Sequence, residues 1–122
     1  MTRQEIKNYI KKKYKVSAVS LWEDAKSFIV FRNEKKKWFG IIMDIPYNKV
    51  YRDSDNEKII DVMNVKLDTE FVTSIKNTKG FAPAYHMNKK HWVSIEINKV
   101  SAKKIKELID ISYQIVTKIK ND

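Results

Sequence analysis

The C-terminal segment is amphipathic with the period of an α-helix, and this pattern limits the possible folds more than any other feature of the chain. From residue 105 onward, apolar side chains recur every three or four residues and fall on one face, as in a helix packed on a sheet. Ser101 precedes this segment and is a good N-cap residue. The predicted buried face consists of Ile105, Leu108, Ile109, Ser112, Ile115, Val116 and Ile119.

A second helix is predicted at the N-terminus, over about residues 3–14. Thr2 and Glu5 have the spacing of a capping box, in which each side chain accepts from the backbone of the other residue. Apolar residues then follow at helical spacing. Four lysines lie near the end of this helix, where positive charge complements the helix dipole, so they have a structural explanation.

Strand-like segments lie between these two helices. Residues 17–22, 28–32, 37–45, 59–67 and 91–97 are predicted strands, and residues 33–36 are a polar hairpin loop. A short helix capped by Asp68 or Thr69 is predicted to about residue 76, followed by Gly80 with a positive φ and a loop over residues 81–90. The pattern predicts one α+β domain over residues 1–122, in which the N- and C-terminal helices pack on one face of a single antiparallel sheet.

The composition excludes several classes of protein. With 122 residues, 43% hydrophobic and 33% charged, the chain has the size and content of one globular domain. It has no cysteine, which excludes disulfides and thiolate zinc sites. No apolar run approaches the roughly 20 residues that span a bilayer, and the first residues do not resemble a signal peptide. We therefore expect a cytoplasmic protein that does not enter a membrane.

The net charge of +10 is unevenly distributed, because residues 1–52 contribute eight of the ten excess positive charges. A concentration of positive charge of this kind attracts polyanions, and nucleic acid in particular, through counterion release. The alternative is a lysine-rich surface without a specific partner. The excess of lysine over arginine favours this alternative, since only Arg3, Arg32 and Arg52 can offer bidentate guanidinium contacts.

Alternation along the strands predicts which side chains face away from the helices. On the last strand Val93, Ile95 and Ile97 form the inward set. On the earlier strands the predicted inward residues are Phe39, Ile41, Met43, Met63, Val65 and Leu67. The predicted outward residues are Phe28, Arg32, Trp38, Gly40, Ile42, Asn64, Lys66, Trp92, Ser94 and Glu96.

These outward positions form a predicted aromatic and cationic surface. Exposed aromatic rings surrounded by positive charge bind single-stranded nucleic acid by stacking on its bases. Basic hairpins can instead contact the phosphates of a DNA duplex. The alternatives are cross-strand pairing of the tryptophans, an oligomer interface, or a protein- or small-ligand-binding module that uses the face of Trp38 and Trp92. The predicted nucleic-acid-binding residues are Arg32, Lys35, Lys36, Lys37, Trp38, Lys66, Lys89, Lys90 and Trp92.

Recognised catalytic and metal-binding patterns are missing. The acidic turn at residues 53–57 begins like a calcium loop, but Lys58 and Asn64 stand where the loop requires glycine and glutamate. His86 and His91 are five residues apart, which matches no zinc-binding helix, so a structural histidine bonded to the loop backbone is favoured. No nucleophile elbow or phosphate-binding glycine loop occurs. We expect a protein that is not an enzyme and has no metal or cofactor.

The segment before the last strand carries a specific set of residues: Pro83, Tyr85, His86, Asn88, Lys89, His91 and Trp92. In this spacing it resembles the best-preserved stretch of the MmcQ/YjbR family. The resemblance implies a CyaY/frataxin-like fold and a DNA-binding role, proposed for the family as a double-wing mode, with no established catalysis. The corresponding wings here are residues 33–37 and the acidic turn near Asp53. DNA and a protein are the candidate partners, and a monomer or weak homodimer is expected.

Overall fold

In the computed structural model, which describes residues 1–118, five antiparallel strands form one sheet in the order β1-β2-β3-β5-β4. The helices α1 and α4 pack on one face, here called the helical face, and the opposite face is called the outer face. This arrangement confirms the predicted fold class. The elements are α1 (Arg3–Tyr14), β1 (Ile29–Arg32), β2 (Trp38–Pro46), α2 (Tyr47–Val50), β3 (Ile59–Lys66), α3 (Thr69–Ile75), β4 (Phe81–Pro83), β5 (Trp92–Glu96) and α4 (Ala102–Lys118).

The predicted helix caps are present. Thr2 and Glu5 form a reciprocal capping box at α1, and the Asp68 side chain accepts from the backbone at the start of α3. The Ser101 hydroxyl accepts from the Lys104 amide at the start of α4. The apolar face of α4 is buried against the sheet as predicted, except that Ile115 is only half-buried, and Ile119 lies outside the described residues.

Three local predictions were wrong. Residues 17–22 do not form a strand, since the segment makes a single bridge between Val19 and Val30. The short helix α2 was not predicted, and the expected loop over residues 81–90 begins with strand β4. Each of these elements is held by contacts with distant parts of the chain, which local periodicity does not reveal.

A β-bulge changes the sheet face to which most side chains of β2 point, relative to the prediction. Phe31 pairs with Gly40 and Arg32 pairs with Trp38, so Phe39 is an extra residue in β2. An extra residue interrupts the alternation of side chains. Trp38 and Phe39 face as predicted, but the residues beyond the bulge face the other way. Gly40 and Ile42 lie on the helical face, whereas Ile41 and Met43 lie on the outer face.

Ser112 of α4 ties the helix to the bulge. Its hydroxyl donates to the Phe39 carbonyl at 2.6 Å and accepts from the Lys66 amide at 2.8 Å. The serine is fully buried within an otherwise apolar helix face. It therefore satisfies two backbone groups at the point where the pairing of β2 and β3 ends.

Ser112→Ala is expected to lower the free energy of unfolding by about 1–3 kcal/mol, because it leaves the buried Phe39 carbonyl and the part-buried Lys66 amide without this partner. Urea unfolding followed by circular dichroism measures this loss. The control is Gln114→Ala, an exposed change on the same helix that should alter stability by less than about 0.5 kcal/mol. Equal stability of the two variants would contradict the role assigned to Ser112.

Asp110 joins α4 to α1. Its carboxylate accepts hydrogen bonds from Tyr9, Tyr14 and Lys13, each at 2.8 Å or less. Tyr14 also stacks on Tyr113, with ring centroids 3.8 Å apart. Burial alone would raise the pKa of Asp110, but the hydrogen bonds from Lys13, Tyr14 and Tyr9 outweigh it and lower the pKa below its usual value.

A pKa that is lower in the folded than in the unfolded state makes stability depend on pH. The ionised Asp110 stabilises the fold above the unfolded pKa of about 3.9, and this contribution is lost as the pH falls through the folded pKa. Asp110→Asn should therefore be less stable than the parent at neutral pH and should lose less stability on acidification. Urea unfolding of both proteins at neutral and acidic pH tests the two statements. Equal unfolding free energies at neutral pH would contradict the first, and the same dependence of unfolding free energy on pH would contradict the second.

Candidate nucleic-acid interface

The loop between β1 and β2 is fixed to the end of α4 by Asn33. The Asn33 side-chain oxygen accepts from the amides of Lys35 and Lys37, and its nitrogen donates to the Val116 carbonyl at 3.4 Å. Lys36 adopts a positive φ of 66° within this tight turn. The buried asparagine thus holds the backbone of the loop, while the three lysine side chains remain exposed.

The second basic segment, the motif loop (residues 84–91), is held on the outer face by two buried polar side chains. The Tyr85 amide donates to the Ser94 hydroxyl at 3.0 Å, and this hydroxyl donates to the Asn64 side-chain oxygen at 2.6 Å. The Asn64 amide group donates back to the Tyr85 carbonyl at 3.0 Å. Asn64 and Ser94 were predicted to face outward, and they do, but the loop buries them.

Asn88 shapes the second half of the motif loop. Its side-chain oxygen accepts from the Lys90 amide, and its carbonyl accepts from the amides of His91 and Trp92. This turn leaves the side chains of Lys89 and Lys90 exposed beside the start of β5. The asparagine of the family pattern therefore has a structural role here, as a turn residue.

The two histidines, His86 and His91, do not form the hydrogen bonds to the loop backbone that the sequence predicted. Both are exposed, and within residues 1–118 neither imidazole forms a hydrogen bond to the loop backbone, so that prediction was wrong. His86 instead has a positive φ of 55° and contacts the ring of Tyr85 edge-on at 4.1 Å. Across the part of the chain that the structure describes, no group of three histidine or carboxylate side chains is placed to hold a metal ion.

Trp92 is not available on the surface, contrary to prediction. It lies on the outer face, opposite Lys66 in the register, but only 8% of the residue is exposed. Alternation along a strand identifies the face of a side chain but not whether another segment covers it. Lys66, its partner in the register, is half-buried.

An open cavity of about 520 Å³ lies on the outer face between residues 22–28 and the motif loop, and we call it the aromatic groove. Trp22 is packed edge-on against Trp38 and Phe28, with ring centroids 5.9 Å and 6.3 Å apart. Trp22 was missed as a site residue because it precedes the sheet, although an indole in a polar segment was a usable signal. The groove is lined by Trp22, Ala25, Phe28, Trp38, Ile41, Met43, Tyr85, His86, Met87 and Asn88.

The topology brings most of the predicted basic residues to one end of the sheet, here called the hairpin end. At this end β1 and β3 finish and β2 and β5 begin, so the 33–37 loop and the motif loop both project from it. The strands β2 and β5 are two strand spacings apart, about 10 Å. Arg32 lies at the same end but is half-buried, and it lines a separate hollow with Tyr14 and Tyr113.

These features define a small α+β protein with one helix-covered sheet face and, on the other face, an aromatic groove near two basic loops. A family model described as YjbR matches residues 11–115. The chain therefore belongs to the YjbR family. Within residues 1–118 no helix is both long enough and apolar enough to cross a membrane.

The comparisons with individual proteins agree with this assignment. The uncharacterized protein YyaQ of Bacillus subtilis (strain 168) is 32% identical over 117 residues, which cover 94% of this chain and 98% of the relative. A crystal structure of a Pseudomonas syringae protein has a TM-score of 0.89 and 38% identity, and covers 94% of this chain and 98% of that protein. A Deinococcus radiodurans protein shares the fold alone, with a TM-score of 0.75, 22% identity, and coverage of 99% and 82%.

Ser94→Ala should loosen the motif loop, because it leaves the Tyr85 amide and the Asn64 oxygen without their partner. We expect a loss of about 1–3 kcal/mol in unfolding free energy and faster amide hydrogen exchange at residues 84–91 than in the parent. Thr73→Ala, an exposed change on α3, is the control. Unchanged exchange in the motif loop would show that this network does not hold it.

Proposed function

We propose that the protein is a non-enzymatic nucleic-acid-binding domain that holds a single strand of DNA across the hairpin end of the outer face. The observation that carries the proposal is an open aromatic groove with exposed lysines next to it in sequence, since the 33–37 loop leads directly into its lining residue Trp38 and the motif loop, which forms one wall, continues into Lys89 and Lys90. The resemblance to proteins with a proposed DNA-binding role supports the same class of ligand.

The basic loops supply the electrostatic part of binding. Lys35, Lys36, Lys37, Lys89 and Lys90 are exposed, and within the described residues none of them forms an ion pair with a carboxylate. Their charges are therefore free to contact phosphates and to release counterions from the strand. The 33–37 loop is rigid at its base, so few backbone conformations are lost when a ligand binds.

The aromatic groove supplies the contact with the bases. Trp38 forms part of its floor and is only half-buried, and Tyr85 and His86 line it from the motif loop. Stacking of a base on an aromatic side chain contributes about 1–3 kcal/mol and needs a base with an accessible face. Bases of a single strand have such faces, whereas bases of a duplex are stacked on each other.

The placement of the two hairpin loops argues against a double-wing contact with a duplex. The acidic turn near Asp53 follows the far end of β2, so it lies at the opposite end of the sheet from residues 33–37. It also carries the wrong charge for a phosphate contact. These two facts favour a strand laid over the hairpin end of the sheet.

A second candidate function is the binding of an apolar small ligand or peptide in the aromatic groove. The predominantly apolar lining of the groove, which includes Met43 and Met87, favours this alternative, because flexible methionine side chains adapt to ligands of different shapes. In this case Trp38 would still matter, but Trp92 would not, and the lysines would be incidental.

The variant Lys35→Glu/Lys36→Glu/Lys37→Glu should lose at least about tenfold in affinity for a fluorescent single-stranded DNA, with no change in fold. The slope of log affinity against log salt should also become shallower, by about 0.7 for each phosphate contact removed. Fluorescence anisotropy at several salt concentrations measures both quantities. Trp38→Ala should weaken binding without changing the salt slope.

The control is the triple variant Lys58→Glu/Lys103→Glu/Lys106→Glu, which makes a charge change of the same size at the other end of the molecule. These lysines are exposed, and residues 103 and 106 lie near the start of α4, whereas its other end contacts Asn33. Equal losses in both triple variants would reduce the effect to net charge and refute a local interface. Groove binding that depends on Trp38 but not on salt would favour the second candidate function.

A further inference from the structure

A second cavity, of about 800 Å³, lies between α2 with its following turn and the β4 edge of the sheet, and we call it the basic cleft. Ligand pockets typically have volumes of this size. On the sheet side of the cleft, the small residues Gly80, Ala82 and Ala84 alternate with larger ones along β4 and its flanks. These small residues leave space for a ligand between the larger side chains.

Positive charge predominates in this cleft. Six basic side chains line it, against two carboxylates, Asp53 and Glu96. Within residues 1–118, none of the six forms an ion pair or donates a side-chain hydrogen bond to the protein. An anionic ligand with several oxygen atoms complements such a set. The basic residues are Lys49, Arg52, Lys76, Lys79, Lys89 and Lys99.

Glu96 provides a polar group inside the cleft. It lies on the outer face as predicted, but only 6% of it is exposed, and its Oε1 accepts from the Tyr51 hydroxyl at 2.8 Å. Burial, together with this hydrogen bond to Glu96, raises the pKa of Tyr51, so the hydroxyl remains a donor. The second carboxylate oxygen has no hydrogen-bond partner in the described part of the chain.

Aromatic rings complete the lining. Tyr47 and Tyr51 contact each other, with ring centroids 4.5 Å apart, and Phe81 and Tyr85 also face the cavity. We propose that the basic cleft binds a nucleoside phosphate, with its phosphates among the lysines, its base against the aromatic side chains, and an N–H group of the base donating to Glu96. Phosphate recognition by unpaired cations and base recognition by rings and a carboxylate follow ordinary preferences.

The cleft is distinct from the nucleic-acid interface. It extends along the β4 edge and includes residues at the start of β4 and the end of α3, which lie away from the hairpin end. Among residues 1–118, only Tyr85 and Lys89 line or flank both places. The inference therefore does not rest on the proposed binding of DNA, and either proposal can fail alone.

The test uses the full chain and ADP as the probe, with adenosine and inorganic pyrophosphate as its two separate parts. Calorimetry gives the affinity, and amide chemical shifts from ¹⁵N NMR give the location. We expect ADP to shift amides of residues 47–53, 76–85 and 96–99, and to bind more tightly than either part. Lys49→Glu/Lys79→Glu, which alters two exposed residues of the cleft, should lower the affinity for ADP at least about tenfold.

The control Lys12→Glu/Lys103→Glu makes the same charge change at exposed sites outside the cleft and should retain parental affinity. The proposal is overturned if ADP does not bind, if its shifts map to residues 33–37, or if both double variants lose affinity equally. Pyrophosphate binding as tight as that of ADP would overturn the role given to the base. A matching loss of single-stranded DNA binding in the cleft variant would assign the cleft to the DNA strand and refute a site for free nucleotides.

Discussion

The closed set of hydrogen bonds among Tyr85, Ser94 and Asn64 determines the form of the outer face. Without it, the motif loop would have no polar attachment to the middle of the sheet, because its other backbone hydrogen bonds lie within the loop, at the start of β5, or between the His91 carbonyl and the Leu67 amide just after β3. Tyr85 lines both the aromatic groove and the basic cleft. One small polar cluster thus positions a wall that two separate cavities share, and its burial makes each of its hydrogen bonds costly to lose.

Much of the fold was predictable because its signals are local. The capping box at Thr2, the N-cap residues of α3 and α4, and the apolar face of α4 depend on neighbours in the sequence, and the structure contains all of them. The facing of β2 was predicted wrongly, since a single extra residue at Phe39 reverses the alternation that follows it. A bulge of this kind is fixed by pairing with β1 and by Ser112, neither of which is visible in a local pattern.

The candidate site was predictable in its charges and less so in its shape. The lysines at positions 35–37, 89 and 90 are exposed at one end of the sheet, because loops that connect antiparallel strands project from strand ends. Trp92 was predicted to be an exposed nucleic-acid-binding residue, but it is buried, since the accessibility of a tryptophan depends on which segments fold over it. Trp22 entered the site from a segment predicted to be a strand, and the cleft around Glu96 exists only through contacts between distant segments.

The two borders of the sheet also bear on how copies of the protein behave toward one another. At the β4 border, Pro83 has no amide hydrogen and the Phe81 amide already donates to Thr78. At the β1 border, Val30 exchanges two backbone hydrogen bonds with Val19. An added strand would find few open donors on either side, which is how sheet proteins avoid edge-to-edge aggregation. Neither border of the sheet therefore offers a ready template for growth into extended β-structure.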